Sequence, residues 1–197
     1  MACIAPASND GLQTDGSLKM QLGFRHEGGL HMTRLNLVAA FLLLTSQAIG
    51  ASAFTGVITK CSDGDTAIIE RADHSLVKVR LAVVDCPEIS HRPREVDQPG
   101  GQEALSYVKE NWLGKEVVVT PKGESYGRIV AEVVDAKTEK SMGLDLVSRG
   151  HAEVDTRYSK SKLLLAAESK AKEEKLGIWK NESPIHPWDW RKRVRGK

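Results

Sequence analysis

Residues 57–88 read VITKCSDGDTAIIERADHSLVKVRLAVVDCPE, and the fold turns on them. Val57-Ile58 leads into Cys61, after which Ser62-Asp63-Gly64-Asp65 supplies turn chemistry and Thr66 to Ile69 is a new apolar run, the pattern of a hairpin. Arg71-Ala72-Asp73-His74 is a second turn. Beyond it Leu76, Val77, Val79, Leu81, Val83 and Val84 form a third strand. Two short turns between three apolar runs predict three consecutive antiparallel strands.

Downstream, a polar loop containing Pro and Gly, Ile89 to Gly101, precedes a helix starting near Gln102, because Leu105, Val108 and Trp112 fall at i, i+3 and i+7. Glu116 to Thr120 and Gly127 to Asp135 are two more β-rich runs, separated by Pro121-Lys122-Gly123. Met142 to Ser148 is a short helix closed by Gly150. Lys160 to Leu176 is a longer one, with Leu164, Ala167 and Ala171 on its face and Gly177 at its stop. The order β-β-β-α-β-β-α-α fits a small closed five-stranded barrel capped by three helices, an α+β fold that is mainly β. Beyond about residue 180 lies a tail bearing Trp and Pro, Ile185-His186-Pro187-Trp188-Asp189-Trp190, ending in the basic run Arg191 to Lys197. Its five basic residues are open to two readings, salt-sensitive phosphate contacts or a frayed end, and Trp188 and Trp190 read as packing the tail on the barrel, with base stacking the weaker alternative.

Of the 197 residues, 41% are hydrophobic and 27% charged, which excludes a disordered chain and a membrane bundle. Aromatics at 5% argue against a broad base-stacking platform. A net charge of +2 permits a phosphate-bearing partner without requiring one.

The first quarter reads as separate from the fold. Residues 32–54, MTRLNLVAAFLLLTSQAIGASAF, place one Arg before an apolar stretch from Leu35 to Leu44 and small residues at Ala51-Ser52-Ala53, the pattern of a secretory signal peptide over 32–53. A bilayer span takes about 20 apolar residues. This stretch is shorter and holds Asn36, so the alternatives, a core helix or an uncleaved anchor, are the weaker ones. Residues 1–31 carry no apolar periodicity and are read as an over-extended reading frame or a non-native leader, with Met32 as the start. The expectation is a protein exported to the periplasm or the medium, monomeric, with no stable membrane association after signal removal. Cleavage would remove Cys3 and leave Cys61 and Cys86 in an oxidising compartment.

Two acidic clusters sit where strands end, Asp63-Gly64-Asp65-Thr66 and Asp85-Cys86-Pro87-Glu88. Carboxylates suit a hard cation, Ca²⁺ or Mg²⁺, better than zinc, although Asp-Gly turns and Asp-x-Pro loops are also ordinary. Arg80 lies near the end of an apolar strand, and Arg128 follows Tyr126-Gly127 at the start of another; each can fork onto a phosphate or pair with a carboxylate. Carboxylates, arginines and a metal together suit phosphodiester hydrolysis: positive charge meets the extra negative charge on phosphorus while a carboxylate takes a proton from water. Cys61 and Cys86 each adjoin an acidic cluster. If the clusters converge on one metal, the two Cα atoms come within disulfide range, which leaves a bridge and two free thiols as alternatives. His91, His151 and His186 are read as solvated loop residues, and the Lys160 to Lys175 stretch, with its interleaved glutamates, as a solvated helix face.

The runs Asp63 to Thr66, Arg80 to Glu88, Tyr126-Gly127-Arg128 and Glu174-Lys175-Leu176-Gly177-Ile178-Trp179 resemble the staphylococcal nuclease (thermonuclease) family in order and approximate spacing, over Thr55 to Trp179. The resemblance implies an oligonucleotide-binding-type (OB-fold) five-stranded barrel with three helices over residues 54–180. It also implies a Ca²⁺-dependent nuclease acting on DNA and RNA with low sequence specificity and leaving 3′-phosphates. Asp65 and Asp85 would be the carboxylate ligands of one Ca²⁺ ion, the main-chain carbonyl of Cys86 a third ligand, and Asp63 a residue behind them. Glu88 would activate the attacking water, Arg80 and Arg128 would hold the phosphate and stabilise the transition state, and Tyr126 would line the pocket. The alternative is a catalytically inactive nucleic-acid-binding module of the same fold. Two departures stand out. The segment before Arg128 is shorter than in the staphylococcal protein, and where a family tyrosine is expected after Gly150-His151-Ala152 the chain has Asp155 and Thr156, with Tyr158 later.

Overall fold

In the computed structural model, which describes residues 52–90 and 95–195, the alternating apolar runs pair into a closed barrel. The expected leader and all but the last two residues of the expected signal segment lie outside the described residues, as does His91. The barrel strands are β1 (Phe54–Cys61), β2 (Thr66–Glu70), β3 (Leu76–Leu81), β5 (Glu116–Ser125) and β6 (Arg128–Asp135), closed in the order β1-β2-β3-β6-β5. All neighbours are antiparallel except β3 and β6, which run parallel and shut the barrel. The strands are half-buried, so alternate residues turn inward: Val79 and Leu81 on β3, Val117 and Val119 on β5, Ala131 and Val133 on β6. A bulge between Ile58 and Lys60 on β1 changes that parity and carries Cys61 into the core.

The third run stops earlier than its apolar residues suggest. β3 ends at Leu81, the chain turns through Val83 at φ 60°, and Val84–Asp85 becomes a separate strand, β4, paired with β7 (Glu153–Val154). Positive φ is costly for a β-branched residue. The turn is held from both sides, by Ala82 N–H donating to the Ala131 carbonyl at 2.8 Å and Asp155 N–H donating to the Val83 carbonyl at 2.9 Å. A second difference is the expected Pro121-Lys122-Gly123 break, which is a bulge inside one long strand; the real turn is Tyr126-Gly127, with φ values of 50° and 71°. Positive φ at both central residues is the tight hairpin geometry that matches strand twist.

Among the described residues four α-helices surround the barrel: α1 (Gly101–Asn111), α2 (Met142–Ser148), α3 (Lys162–Glu173) and α4 (Pro187–Arg195), with a 3-10 turn at Gly177–Lys180. Three were expected; the fourth is the tail, started by Pro187, whose missing N–H and fixed φ suit a first helical position. Ser141 and Ser161 cap α2 and α3 by accepting from the N–H groups of Leu144 and Leu164. The base of the core is Trp112, fully buried, whose Nε1–H donates to Asp145 Oδ2 at 3.0 Å. Asp145 also accepts from Tyr107 and pairs with Lys140, so this buried carboxylate locks α1, α2 and the end of the barrel together. Among the described residues no helix is long and apolar enough to cross a membrane.

Candidate active site

Both acidic runs reach one rim of the barrel through backbone that the sequence prescribes. In the β1–β2 turn, Asp65 N–H donates to Asp63 Oδ1 at 3.0 Å and Ser62 N–H to the Thr66 carbonyl at 2.9 Å, the local bonding that favours Asp at turns. Gly64 is required by proximity: a Cβ added there would lie 2.7 Å from Cys86 Sγ. The turn therefore rests directly on the segment after β4. Leu81 N–H donates to the Asp65 carbonyl at 2.8 Å, which fixes the turn against the end of β3.

Arg80 forks across the two clusters. Its Nη1 donates to Asp65 Oδ1 at 2.6 Å and its Nη2 to Asp85 Oδ1 at 2.7 Å. Asp65 is 3% exposed and Asp85 1% exposed, so the arginine joins two carboxylates taken out of water. Asp65 Oδ2 accepts from the Cys86 N–H at 3.0 Å, and Oδ1 accepts from Thr66 Oγ1 at 3.1 Å. Burial nevertheless pushes the Asp65 carboxyl up to about 7, with the Asp63 and Asp85 charges adding to it and Arg80 opposing. The rim holds more negative charge than its own arginine neutralises.

That surplus decides whether a hard cation fits. Among the described residues no three His, Cys, Asp or Glu side chains are gathered into a ready-made metal cluster. Asp65 and Asp85 are a pair, and a cation there would complete its shell with main-chain carbonyls, such as that of Cys86, and water. Oxygen-only and anionic, this donor set fits Ca²⁺ and does not suit zinc.

Glu88 stands half-buried at the mouth, its backbone gripped by one residue: Glu88 N–H donates to Gln98 Oε1 at 3.1 Å, and Gln98 N–H donates to the Glu88 carbonyl at 2.9 Å. Gln98 is 4% exposed. Its Nε2 donates onward to the Ile185 carbonyl at 2.6 Å, tying the tail to the same place. From the tail, Arg191 Nη1 donates to Asp85 Oδ1 at 2.9 Å and Nη2 to Asp85 Oδ2 at 2.6 Å, while Nη1 also contacts Glu88 Oε1. Sequence reasoning missed Gln98 and Arg191. Nothing local marks Gln98, and Arg191 was visible only as one basic residue in a run of them.

Arg128, first residue of β6, stands apart from the carboxylates and has no ion pair or side-chain hydrogen bond among the described residues. Register places it nonetheless. Val130 pairs with Arg80 across the parallel β3–β6 ladder, and Arg128 lies two residues earlier on the same outer face. From strand rise and spacing, its Cα is about 8 Å from that of Arg80. Tyr126, at the hairpin tip, is 92% exposed.

A cavity of about 830 Å³ opens beside Arg80, walled by Val83, Val130, Leu144, Asp155 and Tyr158 among others. Tyr158, the residue displaced from the expected tyrosine position, is thus on the cavity wall. Neither Tyr126 nor Arg128 is on that wall.

The expected Cys61–Cys86 alternative resolves to two free, buried thiols in this structure. The Cys86 Sγ packs toward Gly64, and the β1 bulge turns Cys61 into the core. Burial pushes the Cys61 thiol up to about 11 and that of Cys86 well above its ordinary value, so neither is a ready nucleophile. The histidines also differ from expectation. His151 is half-buried with its ring 4.6 Å from that of Tyr107, and His186 Nδ1 lies 2.5 Å from Oε2 of the buried Glu153.

Residues 78–181 match the family model described as staphylococcal nuclease homologue. The chain is 31% identical over 139 residues to an uncharacterized endonuclease of Haemophilus influenzae, covering 70% of this chain and 73% of that protein. It is 31% identical over 140 residues to an uncharacterized endonuclease of Escherichia coli, covering 70% and 85%. Similarity to a micrococcal nuclease of Shigella flexneri, 26% over 171 residues, extends over 82% and 94%.

Proposed function

The chain belongs to the staphylococcal nuclease family and is a nuclease, a hydrolase of phosphodiester bonds; we propose that it requires Ca²⁺, cleaves both DNA and RNA with little sequence preference, and leaves 3′-phosphate ends. The observation that carries this reading is the Arg80 fork between two buried carboxylates, Asp65 and Asp85. One guanidinium balances one carboxylate; the second buried carboxylate on Arg80 leaves negative charge that a bound cation would neutralise.

In this reading Asp65, Asp85 and the Cys86 carbonyl hold the cation, which supplies positive charge against the developing charge on phosphorus. Asp63 steadies Asp65 through the turn. Glu88, its main chain clamped by Gln98, takes a proton from the attacking water. Arg80 and Arg128, on one outer face of adjacent strands, present two guanidinium groups to the phosphate; one bridges to the carboxylates and the other is free to fork onto phosphate oxygens. Tyr126 lies one residue beyond the turn glycine from Arg128, exposed toward the substrate strand. The protein acts outside the cytoplasm, a reading that rests on residues 32–53 alone; N-terminal sequencing of the exported protein should begin at Phe54, and a mature protein retaining Met1 would contradict it.

The test is incubation of the purified protein with end-labelled single-stranded DNA and with RNA, in Ca²⁺ or in excess chelator. Cleavage of both in Ca²⁺ alone, with fragments whose mobility changes on phosphatase treatment specific for 3′-phosphates, supports the proposal. Undiminished cleavage in chelator contradicts the cation requirement, and fragments ending in 3′-hydroxyl contradict the product assignment.

A further inference from the structure

The family match ends at residue 181, yet the tail beyond it reaches the catalytic carboxylates. Its approach is built from specific contacts. Ile185 is fastened to Gln98, His186 is paired with the buried Glu153, the His186 ring stacks on Trp188 at 4.6 Å with an 8° interplanar angle, and the Arg157 guanidinium lies 5.4 Å from the Trp188 ring. These contacts aim Arg191, 27% exposed at its side chain, into the rim.

Arg191 leaves little for any other cation. With Arg80, it gives Asp85 three N–H donors, two on Oδ1 and one on Oδ2, and it takes Glu88 Oε1 as well. Three donors leave Asp85 about one of its roughly four acceptor sites, and the positive charge of a second guanidinium on the same carboxylate opposes the approach of a cation. Glu88 Oε1, already facing a guanidinium, competes less well for a proton from water. The pairing satisfies the surplus negative charge of the rim and, by the same contacts, opposes cation binding there.

We propose that the C-terminal helix α4 is an intramolecular competitor for the cation, with Arg191 occupying the Asp85–Glu88 seat until a divalent ion displaces it. The inference rests on the reading that Asp65 and Asp85 hold a cation. Competition of this kind is a coupling between two binding events and is reciprocal: whatever factor the docked helix takes from cation affinity, the bound cation takes from helix docking. The tail then makes activity depend on the cation concentration outside the cell in a way that the barrel alone does not.

The experiment is calorimetric titration of Ca²⁺ into the purified, metal-free full chain in wild-type form and as Arg191→Gln and His186→Ala, with no nucleic acid present. His186→Ala loosens the tail at Glu153, a residue that makes none of the Arg191 contacts to Asp85 and Glu88. Both variants are expected to bind Ca²⁺ at least about tenfold more tightly than wild type, within the usual range of such couplings. In wild type, saturating Ca²⁺ is expected to speed amide hydrogen exchange across residues 187–195. Equal or weaker Ca²⁺ binding by Arg191→Gln, with wild type binding normally, would overturn the proposal and make Arg191 a supporting residue of the site. Absence of Ca²⁺ binding in all three proteins would overturn the cation reading beneath it.

Discussion

The barrel rim and the C-terminal tail deliver arginines to the same carboxylates by different routes. On the rim, Arg80 is 15 residues from Asp65 and 5 from Asp85; the β2–β3 ladder sets Arg80 opposite Thr66, next to Asp65, and the β4–β7 pair holds Asp85. The tail's Arg191 reaches Asp85 across 106 residues of chain, held by a few polar contacts and one buried proline, Pro187. A site held by strand register is rigid and survives changes elsewhere. A site entered by a tethered helix can be vacated. The rim is accordingly where chemistry is expected, and the tail is where control is expected.

Five changes sharpen or break that contrast. The largest is Asp145→Ala, which strips the partner from buried Trp112 Nε1–H, Tyr107 and Lys140 and should cost about 3 kcal/mol in denaturant unfolding; a loss below about 1 kcal/mol would mean that the barrel base is not the rigid half. Next, Arg80→Ala and Arg128→Ala should each lower turnover by at least about a hundredfold, close to 2.7 kcal/mol of transition-state stabilisation. Near-full activity in either removes that arginine from the mechanism. Ending the chain after Ser183 should cost only about 1–2 kcal/mol, because the lost contacts are mostly polar and partly exposed. A truncated chain that fails to fold would make the tail part of the structural core.

The smallest change concerns acid stability. Asp135 at the end of β6 accepts from Lys115 and from the N–H groups of Lys137 and Thr138, which hold its carboxyl well below the usual carboxylate range. A lowered pKa contributes stability above the unfolded value, near pH 4, and that contribution fades as pH falls toward the folded one. Asp135→Asn should therefore melt lower than wild type at pH 7, with the gap narrowing below about pH 4. A gap that widens in acid contradicts the assignment.

How much of this was legible in the chain follows the same division. Val79, Arg80 and Leu81 announce a strand with one charged outer residue, and Asp63-Gly64-Asp65 announces a turn, because period-two alternation and turn chemistry are local. The carboxylate pair and Arg80 were readable for that reason. The end of β3 was misjudged, since Val83 and Val84 continue the apolar run; only the tertiary partners Ala131 and Asp155 force the turn there. Pro121 looked like a strand break and is a bulge, tolerated once the β5–β6 register shifts by one residue. Gln98 and Arg191 were illegible as site residues. A buried amide that grips Glu88, and a tail arginine that crosses the fold, leave no periodic trace.

The most direct test of the central claim is single-turnover cleavage of single-stranded DNA at saturating Ca²⁺ by wild type and by Glu88→Gln, with thermal melting of both proteins alongside. If the rim is the catalytic centre, the variant melts like wild type and cleaves at least about a hundredfold more slowly. Cleavage by Glu88→Gln at close to the wild-type rate would contradict the account and place the chemistry elsewhere on the barrel.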